Sequence, residues 1–485
     1  MANKLGKSAA ILTLSKIFTL VITMISAMLL SRFRTLTEYG TYSQLLLVIN
    51  LATAFFTLGL PNSTNYFLAR AESSEERRQF LSVYYTISTI LCFVMGAVLT
   101  VLVPLLIAYF ENPLIKTFTY FLFFYPWAYV TIGSISNILV VYGKTIKLLF
   151  FNLISAAVSL AAVVFVQVFH GTFNIYMVVF LVSNIILSLS VYFIVWKLEH
   201  PIKFSINKSL VIKIFKYSIP IGLASLVGTI SIEIDKLMIG RFFETEQLAI
   251  YTNAAKELPL TIVATSLTAV LLPQLARMLK KNDSEGAIRI WGISIRLSYL
   301  LICFFAMILI VFAPQIMTIL YSEKYLPGVA VFRVYSLVLL LRCTYFGIIL
   351  NSLGKTKMIL YSSILSLVLN IILNYLLFLA MGMLGPAIAT FISIGIVGFA
   401  QIFVTSKELL IPFKTILPWK KLGITTLINL ALGIVLYIIT KLLSLGTSGK
   451  DILISIAIGL CGMGVYFIIL FKPARNLWKE LNCEV

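Results

Sequence analysis

Apolar runs of about twenty residues or more, separated by short charged or turn-rich breaks, recur along the whole chain and set the terms of its folding. A bilayer's hydrocarbon core takes about 20 apolar residues per helix, and in lipid each backbone polar group must be satisfied within the segment, which favours helices. The runs lie near 8–31, 41–67, 80–110, 118–142, 148–169, 174–196, 217–240, 250–276, 291–313, 327–353, 358–380, 384–406, 421–443 and 452–471, numbered below as spans 1 to 14. The longest connections, 197–216 and 277–290, are too short to hold a folded domain, so no soluble catalytic domain is expected. Composition agrees: 60% of residues are hydrophobic, 12% are charged, and the mean hydropathy is +1.02. A soluble domain carries about 25% charged residues. The chain is expected to be an all-α polytopic membrane protein.

The net charge of +20 would point to nucleic acid on a soluble protein. Here it follows the loops. With the N-terminus inside, the inside segments hold 25 Lys and Arg and the outside segments hold 7. That asymmetry is the positive-inside pattern, and it places both termini in the cytoplasm. The basic start runs into a first apolar stretch longer than a signal peptide's, with no small-residue cleavage site, so it is expected to be retained as span 1. Cys92, Cys303, Cys343 and Cys461 lie in apolar runs and Cys483 in the tail. With His170 and His200 the only histidines, neither a disulfide framework nor a metal site is expected.

The sequence contains itself twice. Arg32-Phe33 followed by Tyr42 recurs as Arg241-Phe242 followed by Tyr251, an offset of 209. Leu68-Ala69-Arg70 recurs as Leu275-Ala276-Arg277, offset 207, and Gly143-Lys144-Thr145 as Gly354-Lys355-Thr356, offset 211. Each pair falls at the same place in the span plan, so spans 1–6 and 7–12 are expected to be two copies of a six-helix unit. Six is even, so the copies point the same way, related by an axis along the membrane normal as in some transporters. The expected organisation is an N-terminal lobe over 1–200, a C-terminal lobe over 201–410, and spans 13 and 14 with a tail over 411–485. The Gly-Lys-Thr turns are not phosphate-binding loops: the glycine such a loop needs is replaced by Ile138 in one and Ile349 in the other. No cofactor is expected.

Charges inside spans are costly and usually face a cavity or a partner. They are Lys16, Glu233, Asp235, Lys236, Lys256, Glu257, Arg296, Arg333 and Arg342, a cationic excess. Arg342 lies near the middle of span 10, far from either surface. Polar residues at steps of three and four mark one face of span 1 (Lys16, Thr19, Thr23, Ser26) and of span 2 (Asn50, Thr53, Thr57, and then Thr64). Similar stripes run along span 7 (Ser218, Gly222, Ser225, Thr229, Glu233, Lys236) and span 8 (Asn253, Glu257, Thr261, Thr265, Thr268). Such stripes read either as close helix–helix packing or as the wall of a hydrated lumen. Glu233 and Lys236, three apart, are also placed to satisfy each other. Pro259 removes a backbone bond and is a candidate hinge in span 8. An excess of fixed cations suits an anionic substrate, since Arg and Lys bind phosphate through charge-assisted hydrogen bonds.

Leu29-Leu30-Ser31-Arg32, then Glu38-Tyr39-Gly40-Thr41-Tyr42, then Leu58-Gly59-Leu60-Pro61 resembles the opening of the Wzx-type polysaccharide flippases. That group belongs to the superfamily shared with MATE exporters and the lipid II flippase, and its plan of fourteen spans and two lobes matches nearly the whole chain. The resemblance implies a non-enzymatic transporter of the bacterial cytoplasmic membrane. Its cargo would be an undecaprenyl-pyrophosphate-linked oligosaccharide, moved from the inner to the outer leaflet by alternating access around a cationic cavity. It implies Lys16, Lys256, Arg296, Arg342 and Asn50 as substrate contacts, and Glu233, Asp235 or Glu257 as the group coupling transport to H⁺ or Na⁺. Polysaccharide polymerase and export machinery would be its partners. The rivals are a lipid II-type flippase, a MATE-type antiporter, which would want an acidic lumen, and a membrane polymerase, which would want a long outside loop.

Overall fold

In the computed structural model, which describes residues 2–256 and 258–484, the chain is built of helices and irregular connections, with no strand among the described residues. Thirteen helices are long and apolar enough to cross a membrane. The bent pair Leu36–Thr57 and Leu60–Arg70, which meet at 47°, makes fourteen when counted as one span. Helices stand at each of the fourteen places where the sequence predicts a span. The bend in span 2 has a local cause, because Leu58 and Gly59 both adopt left-handed backbone and Pro61 opens the following helix.

The internal repeat is visible in the elements themselves. Ser74–Val101 is followed by the short helix Val103–Phe110 and the 3₁₀ turn Pro113–Phe118. Ser284–Val311 is followed by Ala313–Tyr321 and Glu323–Gly328 in the same order. Both long helices start the same way: Ser73 accepts from the Glu76 amide and Asp283 from the Gly286 amide, with Glu75 and Glu76, or Glu285, in the first turn. Side-chain caps and first-turn carboxylates satisfy the orphan amides and complement the helix dipole.

By packing, the chain divides into one unit over Met1–Ala249 and another over Ile250–Val485. The repeat divides it differently. Lys208–Phe242, the first helix of the second copy, packs within the first unit against Leu36–Thr57 and Leu60–Arg70. The division at 200 and 410 describes sequence copies, and in that sense we retain it as a proposal.

Within the first unit, span 7 meets span 2 through glycine. A Cβ on Gly222 would stand 2.1 Å from the Leu58 carbonyl carbon, and one on Gly59 would stand 2.7 Å from the Gly222 amide nitrogen. At the face assigned to the outside, Asn112 donates to Thr41 (2.9 Å) and Gln44 (2.7 Å), and Gln44 donates to Thr245 (3.2 Å). At the other face, buried Glu199 accepts from Ser74, from Arg77 (2.7 Å) and from Tyr142 (3.0 Å), which ties together the ends of spans 3, 4 and 6. Burial raises the Glu199 pKa, but these donors outweigh it and hold the carboxyl below its ordinary value of 4.5. Its contribution is therefore full above that value and is lost as pH falls through the lowered one.

Three outcomes follow for the detergent-solubilised protein in thermal unfolding. Gly222→Val should destabilise by about 1–3 kcal/mol or more through overpacking. Gly228→Ala, on the same helix with open space around it, should be neutral or slightly stabilising. Glu199→Ala should cost about 2–3 kcal/mol at pH 7, and the difference from wild type should shrink as the pH falls below the ordinary carboxyl value of 4.5.

Candidate functional site

The hydroxyl stripes resolve first. Thr23, Ser26, Thr57, Thr229 and Thr268 each donate to the carbonyl four residues back, and Thr265 to the carbonyl three back. These bonds run along their own helices, so the hydroxyls need no neighbouring helix to be satisfied.

In the first unit, Lys16 lies on the exposed side of span 1, while its neighbour Ser15 is buried and accepts from Asn152 of span 5 at 3.2 Å. Asn50 is half-buried. Glu233 is buried and bound to Lys236, Nζ to Oε2 at 2.7 Å, which satisfies both charges on one helix face. Asp235 is more deeply buried, at 2% exposure. Glu257 lies outside the described residues.

In the second unit, two cations coincide with interruptions in their spans. Span 8 runs as Thr245–Ala254, then non-helical residues that include exposed Lys256, then a 3₁₀ turn Pro259–Thr261 and a helix Ile262–Lys280. The hinge expected at Pro259 is thus a true break. Span 10 corrects the sequence expectation. Arg342 does not sit inside a continuous helix. It follows the last residue of Val329–Leu341, is exposed, and opens a non-helical stretch that ends at the short helix Ile348–Ser352.

The opened backbone of span 10 is taken up by span 9. Ser298 Oγ donates to the Cys343 carbonyl at 2.6 Å, and the Trp291 indole donates to Thr344 Oγ1 at 3.0 Å. Trp291 and Ser298 are themselves buried. Non-helical backbone at membrane depth is tolerated where protein buries it or where it lines a water-filled cavity. Arg333 donates to the Ile310 carbonyl at 3.1 Å near the end of span 9.

Arg296 lines a cavity of about 610 Å³ in the second unit, together with Arg289, Thr415, Lys479 and Glu480. The sequence counted Arg289 and Lys479 as loop charges and did not bring them to Arg296. A second feature missed is a polar cavity of about 890 Å³ in the first unit, lined by Glu111, Arg241, Glu244, Glu246 and three phenylalanines. There Arg241 pairs with Glu111 at 3.0 Å. The recurrence of Arg32-Phe33 as Arg241-Phe242 was the signal that marked this loop. No cluster of three or more metal-binding side chains occurs among the described residues.

This arrangement, with polytopic helices and cations at broken spans, defines an all-α polytopic membrane protein. The model of the polysaccharide biosynthesis protein family matches residues 29–330, and the chain belongs to that family. It is 26% identical over 271 residues to the "Probable low-salt glycan biosynthesis flippase Agl15" of Haloferax volcanii, covering 54% of this chain and 55% of the relative. The chain thus spans about half the length of the curated relative it matches. Among solved structures, the lipid II flippase MurJ in an inward closed conformation superposes with a TM-score of 0.72 at 17% identity, over 95% of this chain and 99% of that one. An inward-facing multidrug resistance MATE family transporter of the MOP superfamily superposes with a TM-score of 0.64 at 15% identity, over 81% and 94%. At these identities the likeness is one of fold. The resemblance of residues 29–61 to Wzx-type flippases is borne out in family and fold.

Exposure distinguishes water from lipid by experiment. In a cysteine-free background, Lys16→Cys, Lys256→Cys and Arg342→Cys should react with a membrane-impermeant thiol reagent, whereas Asp235→Cys should stay unreactive. Failure of all three to label would place those side chains against lipid.

Proposed function

We propose that the protein is a flippase that carries a polyprenyl-pyrophosphate-linked oligosaccharide from the inner to the outer leaflet of the cytoplasmic membrane, for surface polysaccharide synthesis. The observation that carries this reading is the position of Lys256 and Arg342, exposed cations at the interruptions of spans 8 and 10. Discontinuous spans are a recurrent way to build a substrate site at membrane depth, and a pyrophosphate is a good match for fixed Lys and Arg. Lys16, on the exposed face of span 1, and Asn50 complete the proposed contacts. The family assignment and the name of the archaeal relative support a glycan-related cargo. The cationic excess weighs against a cationic drug, and the short outside loops weigh against a polymerase.

Coupling to H⁺ or Na⁺ is a further part of the proposal. The candidates among the described carboxylates are Glu233, which is paired with Lys236, and the more deeply buried Asp235. Both termini on the cytoplasmic side, and a polymerase and export system as partners, complete the reading.

The test uses a strain that loses its surface polysaccharide when its own flippase is deleted and whose repeat unit this protein handles. Wild type should restore polymer. Lys256→Ala and Arg342→Ala should each reduce it at least about tenfold, the cost of losing roughly 1.4 kcal/mol of binding, with lipid-linked intermediate accumulating inside. Full restoration by both variants would remove these residues from the substrate site. Asp235→Asn should abolish dependence on the ion gradient while leaving the protein folded.

A further inference from the structure

We propose that the cavity at the base of span 9 is a binding site for an anionic phospholipid of the inner leaflet, whose phosphate is held by Arg289, Arg296 and Lys479. This site goes beyond the transport reading and does not depend on it.

Arg289, Gly292, Ile293 and Arg296 follow one another at steps of three, one and three along Ser284–Val311, which puts them on one helix face. Two guanidinium groups thus stand two turns apart, with a glycine between them. Gly292 forms the floor: a Cβ there would lie 3.7 Å from Pro418 Cδ, an ordinary contact, so larger side chains would fill the space. The third cation comes from far along the chain. The C-terminal helix Gly449–Glu484 is 36 residues long, about 54 Å at 1.5 Å per residue, and so extends well past a hydrocarbon core of roughly 30 Å. Leu477, only 2% exposed, pins that extension against the protein, and Lys479 and Glu480 reach the cavity. Three cations face one carboxylate, which leaves the site positively charged.

Position and lining choose the occupant. The loop-charge count assigns this end of span 9 to the cytoplasmic face. The connection between spans 12 and 13, which contributes Thr415, Ile416 and Pro418 to one side of the cavity, carries a stack of aromatic rings on the other. Phe413 and Trp419 stand 5.6 Å apart, and Phe399 lies 5.9 Å from Trp419, beside Lys414, Lys420 and Lys421. Aromatic rings with lysines mark the level of the headgroups, and basic pockets between helices on the cytoplasmic side suit anionic headgroups. Apart from the charged groups the wall is apolar, with Thr415 its single hydroxyl, which suits a glycerophosphate with its acyl chains and offers little to a sugar chain.

The full-length protein in neutral detergent provides the test, by thermal shift titrated with dioctanoyl phosphatidylglycerol, dioctanoyl phosphatidylcholine or inorganic phosphate. Phosphatidylglycerol should raise Tm saturably, while phosphatidylcholine and inorganic phosphate should not. The triple variant Arg289→Gln/Arg296→Gln/Lys479→Gln should raise the apparent Kd at least about tenfold. Gly292→Leu should do the same by filling the cavity with every charge retained, and Lys441→Gln, on the opposite face, should change nothing. If the triple variant does not fold, Gly292→Leu and the exposed single variant Lys479→Gln decide. Equal shifts with both lipids, reproduction of the shift by phosphate alone, or wild-type affinity in Gly292→Leu would overturn the proposal.

Discussion

The chain's structure depends on one constraint: a backbone amide or carbonyl inside hydrocarbon must find a partner within the protein. Leaving it unpaired costs several kcal/mol, more than most side-chain contacts return. Helices meet that demand automatically, which is why nearly every described residue between the loops is helical. Where a span is opened, some other group has to take over. Ser298 and Trp291 of span 9 do so for Cys343 and Thr344 in span 10. In span 8, Pro259 lacks the amide that a continuous helix would use, and the chain resumes through a 3₁₀ turn. Thr23, Ser26, Thr57, Thr229, Thr265 and Thr268 follow the same logic by bonding back to carbonyls of their own helices.

The charges obey a parallel rule. Six of the described intramembrane charges are satisfied locally, set at an opened backbone, or placed on an exposed helix side. Glu233 and Lys236 belong to the first group, as does Arg333 with the Ile310 carbonyl. Lys256 and Arg342 belong to the second, and Lys16 to the third. A cation just after the last turn of a helix also meets the negative end of that helix's dipole, so Arg342 after Leu341 is electrostatically better placed than it would be within an unbroken span. The proposed substrate contacts are thus sites where the fold can hold a charge at low cost.

Much of this was legible in the sequence because hydrophobic length, loop charge and repeated tripeptides are local or periodic signals. The fourteen spans, the six-helix repeat and the Pro259 hinge needed nothing else. The break at Arg342 was not legible, since Arg342-Cys343-Thr344-Tyr345-Phe346-Gly347 contains no proline and its one glycine stands only at the far end. The donors that stabilise it come from residues about 45 to 53 positions away. The cavity at span 9 was hidden for the same reason: Lys479 joins Arg296 only through the docking of a helix nearly two hundred residues later. Arg296 read as one more substrate cation, and its place beside Arg289 and Lys479 was not visible in the sequence.

The most direct test of the account is reconstitution. Purified protein in proteoliposomes containing a lipid-linked oligosaccharide should expose internally facing substrate to an external, membrane-impermeant glycan-modifying reagent, raising the modified fraction above that of protein-free vesicles. An unchanged modified fraction, in vesicles shown to hold folded protein and a substrate carrying the matching sugars, would contradict it.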